Sequence, residues 1–438
     1  MEKVISAMIG CGLFASGLMA APTVSIVSFS KDQFSPAIMI SYELTGGPAI
    51  VTLDDVLVKG ESVGFANFRD QIFGDINARV SDGIHKIVWR ADRSWPGQKV
   101  SVGDLKAKLS AWTVDVPPDY MVVDLVISNC YSYYSSTNTI PGGICSDAYV
   151  TDKIVMRRVP AKNVVWRMGS NKDEDGRTAE NEYPHYVKLT QDYWIGVFPI
   201  TLGQFHEFNG GWLSDYTAFT NADNYLSLPM NYISYAGIRG TFSEGINWPK
   251  TDHQVTASSA VGRLRSRTGI MFDLPTDAQW EFACRAGTST AFNTGKNNLD
   301  NDTQDIAYVY TTKSITYYIS PTADPIKGQC PRPVNYLKPN SWGIYDCHGN
   351  TFEWVLDAFS SGDDYIATFG LGASPADIVV IDPKGVEVNS SANRIRRGTS
   401  AAGTLATARS ANRKSDTPGN RGAYYGFRVV CPIGGKAW

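Results

Sequence analysis

The stretch from Arg396 to Val430, RRGTSAAGTLATARSANRKSDTPGNRGAYYGFRVV, constrains the fold of this chain more than any other. Its arginines and asparagines are of the kind that bond carbonyls and carboxylates inside loop-rich domains, where buried polar groups must find partners. Its glycines allow backbone turns that side chains would forbid. The stretch therefore predicts a rigid, irregular frame, which we assign to Arg409, Asn412, Arg413, Asn420, Arg421 and Arg428.

Three short tracts without evident chemistry alternate with this frame. They are tract 1 (Ala401–Thr404), tract 2 (Lys414–Thr417) and tract 3 (Gly422–Tyr425). The stretch is thus either the remains of an active site or a frame that displays the tracts.

The chain has 438 residues, so two or three domains are expected. A net charge of -3 and the lack of any basic run argue against nucleic acid as a partner. The first residues carry Lys3, an apolar stretch and then Ala20-Ala21-Pro22, which is the order of a secretory signal. We predict a signal peptide over residues 1–21, no transmembrane segment after its removal, and a secreted or cell-envelope protein at the periplasm or cell surface.

Removal of that signal leaves six of the seven cysteines, an even number that fits an oxidising compartment. Cys130 and Cys145 flank a loop-like segment that a disulfide would clamp. The alternative is that these cysteines are buried free thiols, as small Cys side chains often are.

Residues 22–127 alternate apolar and polar positions in short runs such as TVSIVSFS and AIVTLDDVLV, separated by glycine-containing turns. This pattern predicts an antiparallel β-sandwich of immunoglobulin or fibronectin type. Residues 128–158 read as a connector that ends in one strand, and residues 159–435 as a loop-rich α+β domain. The fold class is therefore multidomain, with an N-terminal all-β sandwich and a C-terminal α+β domain.

Three helices are predicted in the second domain from their capping residues. Thr201 with Gln204 and Thr276 with Gln279 each fit a capping box. Thr256 is the expected cap of a third helix that Gly269 ends.

Four segments, starting at Met168, Asp273, Pro339 and Arg396, stand in an order that resembles the sulfatase-modifying-factor family, which includes the formylglycine-generating enzymes. They contain YWIGVFPITLGQF, DLPTDAQWEFACRAGT, PNSWGIYDCHGNTFEW and the stretch quoted above. The resemblance covers residues 159–432 and implies the family's variant of the C-type lectin fold. A shared fold, however, does not establish which reaction, if any, a protein catalyses.

The family's oxidases hold copper through two cysteines that follow a Gly-Gly-Ser turn. The matching turn here is Gly398-Thr399-Ser400, and no cysteine follows it before Cys431. Since soft thiolates select Cu(I), the sequence argues against a copper site. The iron-dependent branch of the family needs a histidine cluster, and the five histidines of this chain show no such spacing.

The resemblance also implies a structural calcium site in the loop YDCHGNTFEW. By position, Asp346 and Glu353 would supply carboxylate oxygens, and Gly349 and Thr351 carbonyl oxygens, which are ligands that suit Ca²⁺. The alternative is that both carboxylates only bond loop amides. Relatives bridge cysteines near Cys284 and Cys431, although Cys431 stands two residues beyond the matching place.

The frame further resembles secreted lectin-fold proteins in which a fixed skeleton carries variable binding residues, some of them targets of diversity-generating retroelements. This implies a structural role for Arg409, Asn412 and Arg428. It implies an exposed ligand-binding surface made of Ser400, Ala401, Ala402, Thr404, Lys414, Ser415, Asp416, Tyr424 and Tyr425.

The sequence thus favours an exported, non-catalytic module that displays a surface to a protein or glycan ligand. Two alternatives remain open. One is a formylglycine-generating oxidase that acts on a sulfatase cysteine, and the other is a structural component of the cell envelope.

Overall fold

The computed structural model describes residues 21–64, 71–211, 225–240, 254–297, 305–309, 331–368, 370–371, 378–385 and 392–433. Residues 1–20 of the predicted signal peptide and Cys330 lie outside the described residues. Within these ranges, every helix is too short or too polar to cross a membrane. The helices are α1 (Ala91–Ser94), α2 (Asp147–Thr151), α3 (Leu202–Asn209), α4 (Tyr235–Arg239), α5 (Ala260–Thr268), α6 (Asp277–Arg285) and α7 (Gly362–Thr368).

The N-terminal part is all-β, as predicted. One sheet has the strand order β1-β2-β7-β5, and the other joins β4, β6 and β8 to β3. Alternation along β2 sends its buried side chains into the core between the sheets, where Trp89 is fully buried. The strands are β1 (Thr23–Lys31), β2 (Ile38–Thr45), β3 (Ala49–Val58), β4 (Glu61–Ser62), β5 (Ile72–Gly74), β6 (Ala78–Val80), β7 (Gly83–Trp89) and β8 (Leu105–Trp112).

A five-stranded sheet joins strands before and within residues 128–158 to strands much farther along the chain. Strands β9 (Tyr120–Asp124), β10 (Cys130–Tyr134) and β11 (Lys153–Val159) form one sheet with β14 (Tyr193–Gly196) and β22 (Val430–Pro432), in the order β10-β9-β11-β14-β22. The strand predicted at the end of residues 128–158 is present as β11, whereas β10 was not predicted within those residues. The alternation of apolar and polar residues indicates that a segment is a strand. It does not show which distant strands that segment pairs with, and this pairing decides the sheet to which it belongs.

The remaining strands form smaller sheets around this one. The four-stranded sheet with the order β20-β19-β17-β21 carries the stretch from Arg396 onward. The strands are β12 (Val165–Met168), β13 (His185–Lys188), β15 (Ala307–Tyr308), β16 (His348–Gly349), β17 (Phe352–Ala358), β18 (Val379–Ile381), β19 (Arg394–Arg397), β20 (Lys414–Asp416) and β21 (Tyr425–Gly426).

Two of the three predicted helices begin as expected. The capping boxes at Thr201 and Thr276 are both formed, and they start α3 and α6. The cap of α5 is Ser259 rather than Thr256, although Gly269 ends that helix in the left-handed conformation as predicted. Thr256 instead donates its backbone N–H to the carbonyl of Arg239, so a long-range contact takes it away from the helix.

Candidate functional site

Two of the three tracts bond to one segment, residues 350–352. The backbone N–H of Ala401 in tract 1 donates to the carbonyl of Asn350 at 3.0 Å. The N–H of Phe352 donates to the carbonyl of Tyr424 in tract 3 at 2.7 Å. Tract 2 contains β20, which pairs with β19 in the same sheet. Tracts 1 and 3 are thus bonded to neighbouring residues of one segment, and tract 2 belongs to the sheet that contains Phe352. We call the residues of the three tracts, together with Ser400, the display surface.

Tracts 2 and 3 are also joined through side chains. The Tyr425 hydroxyl donates to Asp416 Oδ2 at 2.8 Å, and Arg396 Nη2 lies 3.1 Å from the same oxygen. The Arg396 guanidinium stacks 3.9 Å from the centre of the Tyr425 ring, a cation–π geometry. Burial acts to raise the pKa of Asp416, but hydrogen bonds from Asn420 and Tyr425 outweigh it and leave that pKa lowered. Asp416 is thus a charged anchor between the two tracts.

The predicted ligand-binding residues differ in exposure. Ala402, Thr404 and Lys414 are exposed. Ser400 and Ala401 are buried, so their predicted exposure is wrong: the turn at Gly398 directs them inward, where Ala401 bonds the loop at Asn350. The residues that are half-buried at the edge of the surface are Ser415, Asp416, Tyr424 and Tyr425.

The arginine of the frame nearest tract 1 is enclosed by carboxylates. Arg409 Nη1 lies 2.7 Å from Glu182 Oε2 and 3.1 Å from Glu174 Oε2. Asn412 Nδ2 donates to Glu182 Oε1 at 3.3 Å. All four side chains are buried, and burial raises the pKa of Glu174. Such a pair is stable only while both partners are present, since a lone buried charge is very costly.

Two other members of the predicted frame lie elsewhere. Asn420 and Arg421 are exposed, so their expected burial is wrong. Asn420 Nδ2 donates to Asp416 Oδ2 at 2.8 Å at the protein surface. These residues lie in the turn that connects tracts 2 and 3, and nothing in their local sequence distinguishes them from the buried members.

The arrangement of Glu353 does not fit the predicted calcium site. Arg428 Nε and Nη2 donate to Glu353 Oε2 and Oε1 at 2.6 and 2.7 Å, and Trp280 Nε1 donates to Oε2 at 2.7 Å. Both carboxylate oxygens are therefore engaged. Calcium at this position would have to displace the buried guanidinium of Arg428 and leave it unpaired.

The other predicted calcium ligands are Asp346, Gly349 and Thr351. Asp346 accepts from the backbone N–H of Asn335 at 3.1 Å, and burial raises the pKa of its carboxyl to about 6. Gly349 and Thr351, which were expected to supply carbonyl oxygens, are both buried, and the N–H of Gly349 donates to the carbonyl of Gly398. The described residues contain no group of three or more His, Cys, Asp or Glu side chains placed to hold a metal ion.

The cysteines of the described part are unpaired. Cys130 and Cys145 are free, so the suggested clamp is not formed, and Cys145 Sγ instead lies 3.8 Å from the Tyr345 hydroxyl. Cys284 and Cys431 are also free and fully buried. The implied bridge between them is likewise not formed.

Two residues central to the site were missed from the sequence as site residues, Arg396 and Asn350. Arg396 stands next to Arg397 and looks like any other frame arginine. Asn350 has φ +65°. The Gly-Asn pair at 349–350 is a sequence signal for a turn with such a backbone conformation, so this turn could have been predicted. The contact between Asn350 and tract 1 could not be predicted from the sequence.

A family model described as the sulfatase-modifying factor enzyme 1-like domain matches residues 155–433. The chain is 33% identical over 161 residues to the formylglycine-generating enzyme of Thermomonospora curvata, and 29% identical over 161 residues to that of Mus musculus. Each match covers 36% of this chain. The chain spans about half the length of the first relative (48%) and 38% of the second.

Solved structures with similar folds include Treponema denticola variable protein 1, at 18% identity and a TM-score of 0.46, and PvdO from Pseudomonas aeruginosa, at 21% identity and a TM-score of 0.45. Each comparison covers 64% of this chain and 95% of the other. The family model extends over well more than half of the sequence, from β11 to β22. The chain is therefore a member of the family defined by the sulfatase-modifying factor enzyme 1-like domain.

Proposed function

We propose that this protein is an exported, non-catalytic member of its family that binds a protein or glycan ligand through the display surface. The observation that carries the proposal is the separation between the exposed side chains of the tracts and the buried ion pairs beneath them. Ala402, Thr404 and Lys414 are exposed, whereas Arg397 and Arg409 are buried among carboxylates. The exposed positions can therefore change without disturbing the frame.

The residue types in the stretch from Arg396 to Val430 support ligand binding rather than copper-dependent oxidation of a cysteine. No cysteine occurs between Gly398 and Cys431, so the stretch offers no thiolate pair to a copper ion. Its threonines and Lys414 instead provide hydrogen-bond donors, and Tyr424 provides a large, rigid contact with one polar end. Export is supported by the charged start, apolar stretch and small residues of the first 21 positions.

The proposal is tested by probing arrays of glycans and cell-surface proteins with the full-length purified protein. We expect at least one specific ligand, and we expect Lys414→Glu or Thr404→Trp to weaken its binding by about tenfold or more, because each alters an exposed position of the surface. Lys106→Glu is the matched control, since Lys106 is exposed on β8 in the N-terminal sandwich. The proposal would be contradicted if the control variant lost ligand affinity to the same extent, or if the protein bound nothing on either array.

The competing oxidase function has its own assay. A peptide with a Cys-x-Pro-x-Arg core is incubated with the protein, copper and oxygen, and its mass is followed. We expect the cysteine to remain unchanged. Conversion of that cysteine to an aldehyde at a rate proportional to protein concentration would establish the oxidase instead.

A further inference from the structure

An open cavity of about 390 Å³ adjoins tract 3. Its walls are the end of α3, the residues that lead into α4, and the start of α5, while Arg421 lines one side. This volume lies within the range of small-molecule sites in proteins. The cavity is therefore large enough to accept the end group of a ligand that also contacts the display surface.

One wall of the cavity is bonded directly to tract 3. The backbone N–H of Tyr232 donates to the carbonyl of Gly422 at 2.9 Å, and the N–H of Ala236 in α4 donates to the carbonyl of Pro418 at 2.9 Å. Tyr232 has φ +53°, a conformation that is unusual for an aromatic residue and that these contacts must maintain. Its side chain lines the cavity and remains 42% exposed.

Among the described residues that line the cavity, the charged ones are Arg263 and Arg421. Arg263 Nη1 donates to the carbonyl of Asn209 at 2.8 Å and its Nε to the carbonyl of Ser258 at 3.1 Å. Carbonyl oxygens hold the guanidinium in place but do not neutralise its charge. The described lining contains no carboxylate, so Arg263 gives the cavity a positive field.

We infer that this cavity binds the acidic group of a saccharide, a carboxylate or a sulfate, and thereby selects anionic glycans for the display surface. A guanidinium pairs with either group through two parallel hydrogen bonds. The hydroxyls of Ser234 and Ser258 provide partners for sugar hydroxyls, and the exposed part of the Tyr232 ring offers a face for the sugar ring. The inference rests on the proposed function, because it assigns a ligand class to the same surface.

The test compares three probes on the full-length protein by calorimetry: a sulfated disaccharide, a glucuronate-containing disaccharide and a neutral disaccharide. We expect at least one acidic probe to bind about tenfold or more tightly than the neutral one, and the two acidic probes distinguish sulfate from carboxylate. Arg263→Gln should remove this preference, while Arg263→Lys should retain part of it. Arg93→Gln, an exposed arginine of the N-terminal sandwich, is the control and should change nothing.

Thermal unfolding of each variant verifies that Arg263→Gln remains folded. The inference is overturned when no acidic probe binds, when the neutral probe binds equally well, or when Arg263→Gln binds within about twofold of the parent. Ligand binding that depends on Lys414 but not on Arg263 would contradict the inference and still support the proposed function. An acidic probe that depends on Arg263 but not on Lys414 or Thr404 would confirm binding in the cavity and contradict the proposed role of the display surface.

Discussion

Arg428 and Glu353 form a buried ion pair in which both carboxylate oxygens accept hydrogen bonds from the guanidinium, at 2.6 and 2.7 Å. Arg428 also donates to the carbonyls of Gly196 at 3.0 Å and Tyr345 at 2.8 Å. One side chain thus connects β17, the end of β14 and the loop before β16. These contacts make the pair a structural centre of the domain beneath the display surface.

Removal of one partner should be far more damaging than loss of a surface pair. We expect Glu353→Ala to lower the free energy of unfolding by about 3–5 kcal/mol, because Arg428 would remain charged and buried without its partner. Chemical denaturation measured by fluorescence gives this value. Glu61→Ala, at an exposed position of the sandwich, is the control; a loss below about 1 kcal/mol in Glu353→Ala would refute the structural role.

Calcium should not stabilise the protein through the YDCHGNTFEW loop, since Glu353 is committed to Arg428. We expect the melting temperature to be the same in excess chelator and in millimolar calcium. A bound ion would raise it, because a ligand that binds only the folded state stabilises that state. A saturable increase that disappears in Glu353→Gln would show that the ion displaces Arg428.

The loop at Gly176 lies against Ala406, two residues after tract 1. Gly176 has φ +75°, and a Cβ there would come within 2.6 Å of the Ala406 Cβ. We expect Gly176→Ala to lower stability by about 1–3 kcal/mol through this clash, in addition to the cost of the left-handed backbone. Gly287→Ala is the matched control, since Gly287 has φ +92° with nothing within 4 Å of the added Cβ. Equal losses in the two variants would show that only the backbone conformation matters.

The hydroxyl of Tyr425 contributes one of the links between tracts 2 and 3. Tyr425→Phe removes its bond to Asp416, and we expect a loss of about 1 kcal/mol with faster amide exchange over residues 414–417. The loss stays modest because Arg396 and Asn420 continue to hold Asp416, at 3.1 and 2.8 Å. Unchanged exchange in tract 2 would mean that these two contacts alone fix it.

Asp357 should impose a measurable pH dependence on stability. Burial, followed by the charge of Asp277, raises the pKa of its carboxyl from 3.8 to about 7. Between these values the folded protein retains a proton that the unfolded chain has lost, so the contribution of Asp357 to stability is complete below about pH 4 and declines as the pH rises to 7.

Asp357→Asn keeps an acceptor for the N–H of Asp277, which lies 2.7 Å from Asp357 Oδ2, but cannot ionise. We therefore expect the parent protein to lose stability relative to this variant as the pH increases from 4 to 7. Denaturant unfolding at each pH gives the difference. A constant difference, or one of opposite sign, would place the pKa of Asp357 near its ordinary value.

Features encoded by neighbouring residues were predictable. The capping boxes at Thr201 and Thr276 connect residues three positions apart, and both helices start where those residues indicate. Alternation along single strands was enough to identify the all-β N-terminal part. Ordered motifs identified the family. In the first two cases the residues that form the pattern are close together in the sequence, and in the third each motif is a short contiguous segment.

Features that depend on distant residues were decided only by the tertiary structure. Glu353 is 75 positions from Arg428, and its local sequence is equally consistent with a calcium ligand. Ala401 is buried and bonds through its N–H to the carbonyl of Asn350, and β9 joins a sheet whose last strand contains Cys431. The sequence by itself determined the scaffold, the starts of α3 and α6 and the absence of thiols between Gly398 and Cys431. Tertiary structure decided which charges pair and which side chains reach the surface, because burial and ion pairing arise only when segments far apart in the chain are packed together.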